Sequence, residues 1–170
     1  MTRWYPLTRS DDEFFRTARF RFDHEVVIPA PAERVWQVLT ADDALVSWAR
    51  GITGAQWTSP RPFGAGTTRT VTVGHGAAAL REYFYRWEPS HRMTFTATAA
   101  SRPGFHRFAE DLVLTREPPG TRLYWIFAFD ARPWLVPLLE LARPVLRRVT
   151  AAWTAGVADR VARTDEGAHA

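Results

Sequence analysis

The chain has 170 residues, 46% of them hydrophobic and 14% aromatic, enough for one domain with a sizeable core. It contains no cysteine, which excludes disulfides, thiolate metal sites and cysteine nucleophiles, and its 22 basic residues are all arginine, which excludes lysine Schiff-base chemistry. The formal charge of +4 is spread without a dense basic run, no apolar run reaches membrane-spanning length, and the first residues lack the apolar stretch of a signal peptide. A cytoplasmic protein is expected, with no nucleic-acid partner and no stable membrane insertion.

Residues 1–19 form a polar, Arg-rich arm in which Ser10-Asp11-Asp12-Glu13 starts a helical turn carrying Phe14 and Phe15, the whole arm packing across the domain. From Arg21 to Ile28 the alternation sets Phe22, His24, Val26 and Ile28 on one face, opposite Asp23 and Glu25, which predicts a half-buried strand. Pro29 and Pro31 end it, because neither can donate to a ladder, and Pro31 suits the opening of a helix. Val35, Trp36, Val38 and Leu39 then recur at helical spacing. Asp42 and Asp43 favour the start of a second short helix, Ala44 to Ala49.

This opening resembles that of the START/SRPBCC superfamily, on Ile28-Pro29-Ala30-Pro31, Val35-Trp36, Leu39, Asp42 and Trp48. The superfamily includes polyketide cyclases, lipid-transfer domains and the birch pollen allergen. The resemblance implies an α+β helix-grip fold, in which a strand and two short helices precede an antiparallel sheet gripping one long C-terminal helix. The fold hosts binders and enzymes alike, so it does not fix an activity.

Further along, Gly51 to Ser59 reads as a strand, followed by a Pro- and Gly-rich loop over residues 60–66. Gly64-Ala65-Gly66 leads into a strand and not a helix, so it is turn chemistry and no phosphate cradle. Strands are predicted at Thr67–Val73, Ala77–Glu88, Arg92–Ala100, His106–Arg116 and Thr121–Ala131, separated by turns at Gly74-His75-Gly76, Pro89-Ser90, Arg102-Pro103-Gly104 and Pro118-Pro119-Gly120. With the first strand and residues 51–59 this makes a seven-stranded antiparallel sheet. From Trp134 to Arg163 the period becomes helical, with Leu135, Leu139, Ala142, Leu146, Val149, Trp153 and Val157 along one stripe and a kink expected near Leu141 ahead of Pro144. The single ligand-binding domain thus covers 20–163, and the polar tail, 164–170, is expected to fray.

Turn lengths fix the register. Val71 faces Leu80, Arg69 faces Glu82 and Thr67 faces Phe84; Phe84 then lies opposite Phe95, and Glu82 opposite Ala97. Leu114 pairs with Leu123, Leu112 with Trp125, Glu110 with Phe127 and Phe108 with Phe129. One face collects nearly all large apolar side chains, while Thr68, Thr70, Thr72, Thr94, Thr96, Thr98, Arg81, Asp111 and Tyr124 fall on the other. Stranded among the apolar residues are Arg69, Glu82, Glu110 and His24, and a buried carboxylate must pair or take up a proton. In one reading Arg69 and Glu82 form a structural ion pair and Glu110 sits near an end, solvated. In the other these groups meet the polar atoms of a ligand.

A cavity between sheet and helix, walled by Val71, Phe84, Phe95, Phe108, Trp125, Phe127, Leu139 and Leu146, with Arg69, Glu82 and Glu110 as polar contacts, would bind or carry a hydrophobic small molecule such as a lipid or polyketide. The alternative implied by the resemblance is a polyketide cyclase or aromatase, with Glu82, Glu110 or His24 as acid or base and Arg69 holding a carbonyl or enolate oxygen. A filled structural or stress-related domain is a third reading, and homodimer formation is left open. No histidine pair has metal-ligand spacing and no serine sits in a nucleophile elbow, so neither metal nor cofactor is expected.

Overall fold

A computed structural model describes residues 2–168, with side chains described for residues 2–164. The elements are β1 (Tyr5–Pro6), α1 (Phe14–Thr17), β2 (Phe20–Ile28), α2 (Ala32–Thr40), β3 (Ile52–Trp57), β4 (Thr68–Val73), β5 (Ala78–Glu88), β6 (Arg92–Ala100), β7 (Phe105–Glu117), β8 (Gly120–Ala131) and α3 (Val136–Ala168). Seven antiparallel strands follow the order β2-β8-β7-β6-β5-β4-β3, so β2 and β3, successive in the chain, form opposite edges. The chain crosses between those edges through α2 and the turns after it. The long helix α3 packs on β2, β8 and α2, which closes the concave side of the curled sheet.

The registers expected from turn length all form: Val71 opposite Leu80, Arg69 opposite Glu82, Phe84 opposite Phe95, Glu82 opposite Ala97, and Phe108, Glu110, Leu112 and Leu114 opposite Phe129, Phe127, Trp125 and Leu123. The Phe84 amide donates to the Thr67 carbonyl at 2.9 Å, completing the set. The β5–β6 pairing also shifts twice, between Arg81 and Glu82, where Thr98 of β6 is the extra residue, and between Phe84 and Arg86, where Tyr85 of β5 is the extra residue. The second shift changes the parity of the strand and turns Trp87 inward, where its ring packs 5.3 Å from that of Phe84.

Two expectations are corrected. Residues 44–49 form a run of turns and no helix. Leu45 takes a left-handed backbone, φ 71°, which interrupts any helical run, and six residues offer too few hydrogen bonds to offset nucleation. The segment is held instead by burial of Ala44, Leu45, Trp48 and Ala49, with Trp48 set so close on Gly156 of α3 that a Cβ there would lie 3.0 Å from the Trp48 carbonyl oxygen. At the other end of the chain, α3 holds Pro144 within it and runs to Ala168, past Arg163. What the frayed-tail expectation says of 169 and 170 lies outside the described residues.

The N-terminal arm enters the sheet. β6 and β7 pair only as far as Thr96 opposite Ala109, and beyond that point the two strands separate. Tyr5 and Pro6 pair with Ala100 and Ala99 of β6, the Leu7 amide donates to Thr98 O, and the Thr8 amide donates to His106 O, so the arm fills the split. The arm then crosses the convex face, where Phe14 and Phe15 bury against Ala109, Ile126 and Ala128. Asp12 accepts hydrogen bonds from Arg86 and Tyr85 there.

The β7–β8 turn grips the end of β2 at Gly120. A Cβ on Gly120 would collide with the Ile28 carbonyl oxygen and lie 2.7 Å from the Ala30 amide nitrogen, both backbone atoms that cannot swing away. Gly120→Ala is expected to lower the unfolding free energy by about 3 kcal/mol, measured by urea denaturation.

Candidate functional site

The concave face divides into a filled half and an open half. Toward the β3 edge, Trp36, Trp57, Phe63, Phe84, Trp87 and Phe95 form one continuous ring cluster, with neighbouring centroids 4.5 to 6.0 Å apart. Toward the β6–β7 tip and α3 the side chains enclose a cavity of about 260 Å³. Its walls include Leu80, Phe105, Phe108, Trp125, Phe127 and Phe129 from the sheet, and Leu139, Leu146, Val149, Thr150 and Trp153 from α3. Arg102 and Val149 are its exposed lining residues and mark the mouth, whereas Glu82 and Glu110 are buried within. A larger hollow of about 550 Å³ lies over residues 29–33 and 116–121. It is open, and none of the buried charged groups reaches it.

Eight of the expected binding residues line the cavity: Val71, Glu82, Phe108, Glu110, Trp125, Phe127, Leu139 and Leu146. Phe84 and Phe95 do not, because they belong to the filled ring cluster. Arg69 also stays behind the wall. Its Nε donates to Glu82 Oε2 at 2.7 Å, both side chains are about 5% exposed or less, and its guanidinium carbon lies 4.8, 5.2 and 5.7 Å from the ring centres of Trp57, Phe84 and Phe95. Three rings and one carboxylate thus surround this cation, so it is not placed to hold a ligand oxygen in the cavity. His24 is likewise apart, its Nε2 2.8 Å from Thr150 Oγ1.

Glu110 overturns the expectation of a solvated carboxyl. It lies in mid-sheet opposite Phe95 and Phe127, is 6% exposed, and accepts a hydrogen bond from Trp125 Nε1 at 2.9 Å on Oε2. Among the described residues that is its sole hydrogen bond. Burial raises its proton affinity well above that of an ordinary carboxyl, the negative charge of Glu82 adds to the rise, and the Trp125 bond and Arg69 only partly oppose it. Burial also raises Glu82, against the pull of Arg69. His24 shifts down, first through burial and then through the nearby Arg147. Among the described residues no three His, Cys, Asp or Glu side chains gather as a metal site.

Several wall residues lay outside the expected set. Leu80 and Phe129 carried a signal, since the register pairs them with Val71 and Phe108 on the apolar face, and Trp153 lies on the expected helix stripe. Phe105 carried none, because it precedes the expected start of its strand; Leu45 and Ile52 come from the crossing segment and the edge strand it leads to.

The family described as polyketide cyclase/dehydrase and lipid transport matches residues 19–162. The chain belongs to this family. An uncharacterized protein of Mycobacterium tuberculosis is 38% identical over 142 residues, 84% of each chain. The solved Zhui aromatase/cyclase of Streptomyces sp. R1128 superposes with a TM-score of 0.70 at 15% identity, over 85% of this chain and 94% of that one. A START superfamily protein of Mycobacterium smegmatis gives 0.63 at 16% identity, over 81% and 96%. At these identities the two structures speak for the fold: a START-like helix grip. No helix among the described residues is long and apolar enough to cross a membrane.

Two outcomes follow for this polyketide cyclase/dehydrase and lipid transport family member. Arg69→Met leaves Glu82 buried without its cation and is expected to cost about 3 to 5 kcal/mol, while Arg69→Met with Glu82→Leu recovers much of it, measured by chemical denaturation. Glu110 binds its proton more tightly in the native chain than in the unfolded one, so its contribution is complete below the ordinary carboxyl range and is lost as pH rises toward its native value. Glu82 acts with the same sign, and His24, shifted down, acts oppositely as pH falls. Glu110→Gln is therefore expected to gain in melting temperature relative to the native chain as pH is raised from about 5 to about 8.

Proposed function

We propose that this chain binds a hydrophobic small molecule, such as a polyketide or a small lipid, in the cavity between the sheet and α3. One observation carries the reading: an otherwise apolar, ring-walled cavity of about 260 Å³ with the buried carboxyls of Glu82 and Glu110 in its wall. An apolar enclosure with few polar groups is how small-molecule sites are generally built. The volume lies just under the usual range of about 300–1,000 Å³, which suits a compact molecule better than a two-chain lipid. Family membership supports the same class of ligand.

A second reading is favoured by Glu110. A buried carboxyl whose proton affinity is raised well above the ordinary carboxyl range by burial and by Glu82 can serve as a general acid next to the ligand space, as a cyclase acting on a ketone-bearing chain would use. The Zhui protein is an aromatase/cyclase of this fold. In such a reaction the cavity would orient the chain and Glu110 would hold a proton at the carbonyl oxygen, while Arg69 stays in its structural role with Glu82.

Binding of Nile red, a neutral apolar dye, followed by fluorescence, tests the cavity. The native chain is expected to bind it, and Val149→Trp, which narrows the mouth from an exposed position on α3, is expected to weaken binding roughly tenfold while leaving the melting temperature within a degree or two. Unchanged dye affinity in that variant would place the dye elsewhere. Native mass spectrometry of the chain purified from its own host would identify a co-purifying compound.

A further inference from the structure

We infer that the cavity selects a compact apolar molecule carrying a neutral hydrogen-bond acceptor, such as a ketone or ester carbonyl, which receives a hydrogen bond from the carboxyl of Glu110. The inference rests on the reading of the cavity as a binding site. It follows from how the buried charges are already matched.

The enclosure holds two carboxyls, Glu82 and Glu110, and the buried cation beside them is engaged with Glu82 at 2.7 Å between the rings of Trp57, Phe84 and Phe95. A second negative charge on Glu110 would therefore stand uncompensated in an apolar wall, and the group keeps its proton instead. Trp125 Nε1 donates to Oε2 at 2.9 Å, and because the carbonyl oxygen is the better acceptor of a carboxylic acid, the proton is assigned to Oε1. Among the described residues Glu110 has no hydrogen-bonding partner besides Trp125, and it belongs to the cavity wall. The one polar atom that Glu110 has free for a ligand is thus a donor. A ligand carbonyl would complete it.

Other ligand chemistries fit less well. A carboxylate drawn into the cavity would meet two acidic groups and no free cation; the guanidinium at the mouth, Arg102, is exposed and its Nε donates to the Ala77 carbonyl. An ammonium group would pair with an ionised Glu110, but both charges would then be buried, and desolvation offsets most of that attraction. A carbonyl needs no buried charge at all.

The test uses four probes on one flat skeleton: naphthalene, acetylnaphthalene, naphthoate and naphthylmethylammonium, titrated into the full chain by calorimetry and by quenching of tryptophan fluorescence. Acetylnaphthalene is expected to bind roughly 5- to 10-fold more tightly than naphthalene, the value of one neutral hydrogen bond. Naphthoate is expected to bind at least roughly 100-fold more weakly than the ketone. Glu110→Leu should erase the ketone's advantage and leave naphthalene bound, whereas Glu110→Gln, whose amide N–H can still donate, should keep most of it. Should Glu110→Leu fail to fold, the ketone-to-naphthalene affinity ratio of the native chain itself decides the matter.

Equal affinity for ketone and naphthalene would overturn the inference and leave the cavity standing as an apolar site. Tighter binding of the ammonium probe would overturn it in favour of an ionised Glu110, and tighter binding of naphthoate in favour of Arg102 at the mouth. Failure of all four probes, naphthalene included, would remove the binding reading and this inference together.

Discussion

Two carboxyls stand on the concave face beside one cation, which pairs with Glu82 alone, and the organisation of the interior follows from how that cation is placed. Arg69 and Glu82 face each other across neighbouring strands and are both almost wholly buried, a placement that is costly unless the pair is close and well surrounded. The surroundings are aromatic: the guanidinium lies among the faces of Trp57, Phe84 and Phe95. The rings of the filled half therefore do more than occupy volume, since they also stabilise a charge that water cannot reach. Glu110, one strand beyond β6, has no such partner, and burial raises its proton affinity well above that of an ordinary carboxyl. The ion pair sits where the filled half meets the open half, and Glu110 sits inside the open one.

The cavity has a second dependence, on the N-terminal arm. Where β6 and β7 part, Leu7 enters the gap and buries against Ala97 and Ala100, with Leu80, Phe105 and Phe108 packed on the same small cluster. Four of those side chains, Leu80, Ala100, Phe105 and Phe108, are also cavity wall. The arm thus supports the wall from the gap between β6 and β7, and its further hold comes from Phe14 and Phe15 and from Asp12 on Arg86 and Tyr85. The polar outer face, which includes Asp111 accepting hydrogen bonds from both Thr94 and Arg92, is partly covered by this strap and is not a solvated surface throughout.

Much of this was legible in the sequence because sheet registers are local. Short turns at 74–76, 89–90 and 118–120 fix which residues face each other, and from them the Arg69–Glu82 pair and the inward position of Glu110 follow without coordinates. The change of period at residue 134 located the helix. What was not legible depended on distant contacts. A six-residue stretch with good helix signals was drawn into turns by the burial of Trp48 against Gly156, more than a hundred residues away in the chain. The arm's entry between β6 and β7 rests on backbone pairing that leaves no mark in Tyr5 or Pro6 themselves.

Which inward residues touch empty space was the hardest matter to read, for a reason that lies in the sheet's curl. Alternation assigns a side chain to a face, yet Phe84 and Phe108 share that face and end in different surroundings, one wholly buried in the ring cluster and the other on the cavity wall. The difference comes from irregular pairing in β5, which turns Trp87 inward beside Phe84 and thickens the filling at that end, together with Trp36 from α2 and Phe63 from the loop after β3. At the opposite end the small side chains Ala78, Ala79 and Ala100 stand at the wall and add little volume, so space stays open under α3. The same aromatic composition therefore supplies both a packed core and a cavity. What divides them is the distribution of large and small residues along β5 and β6, with the buried ion pair at the boundary.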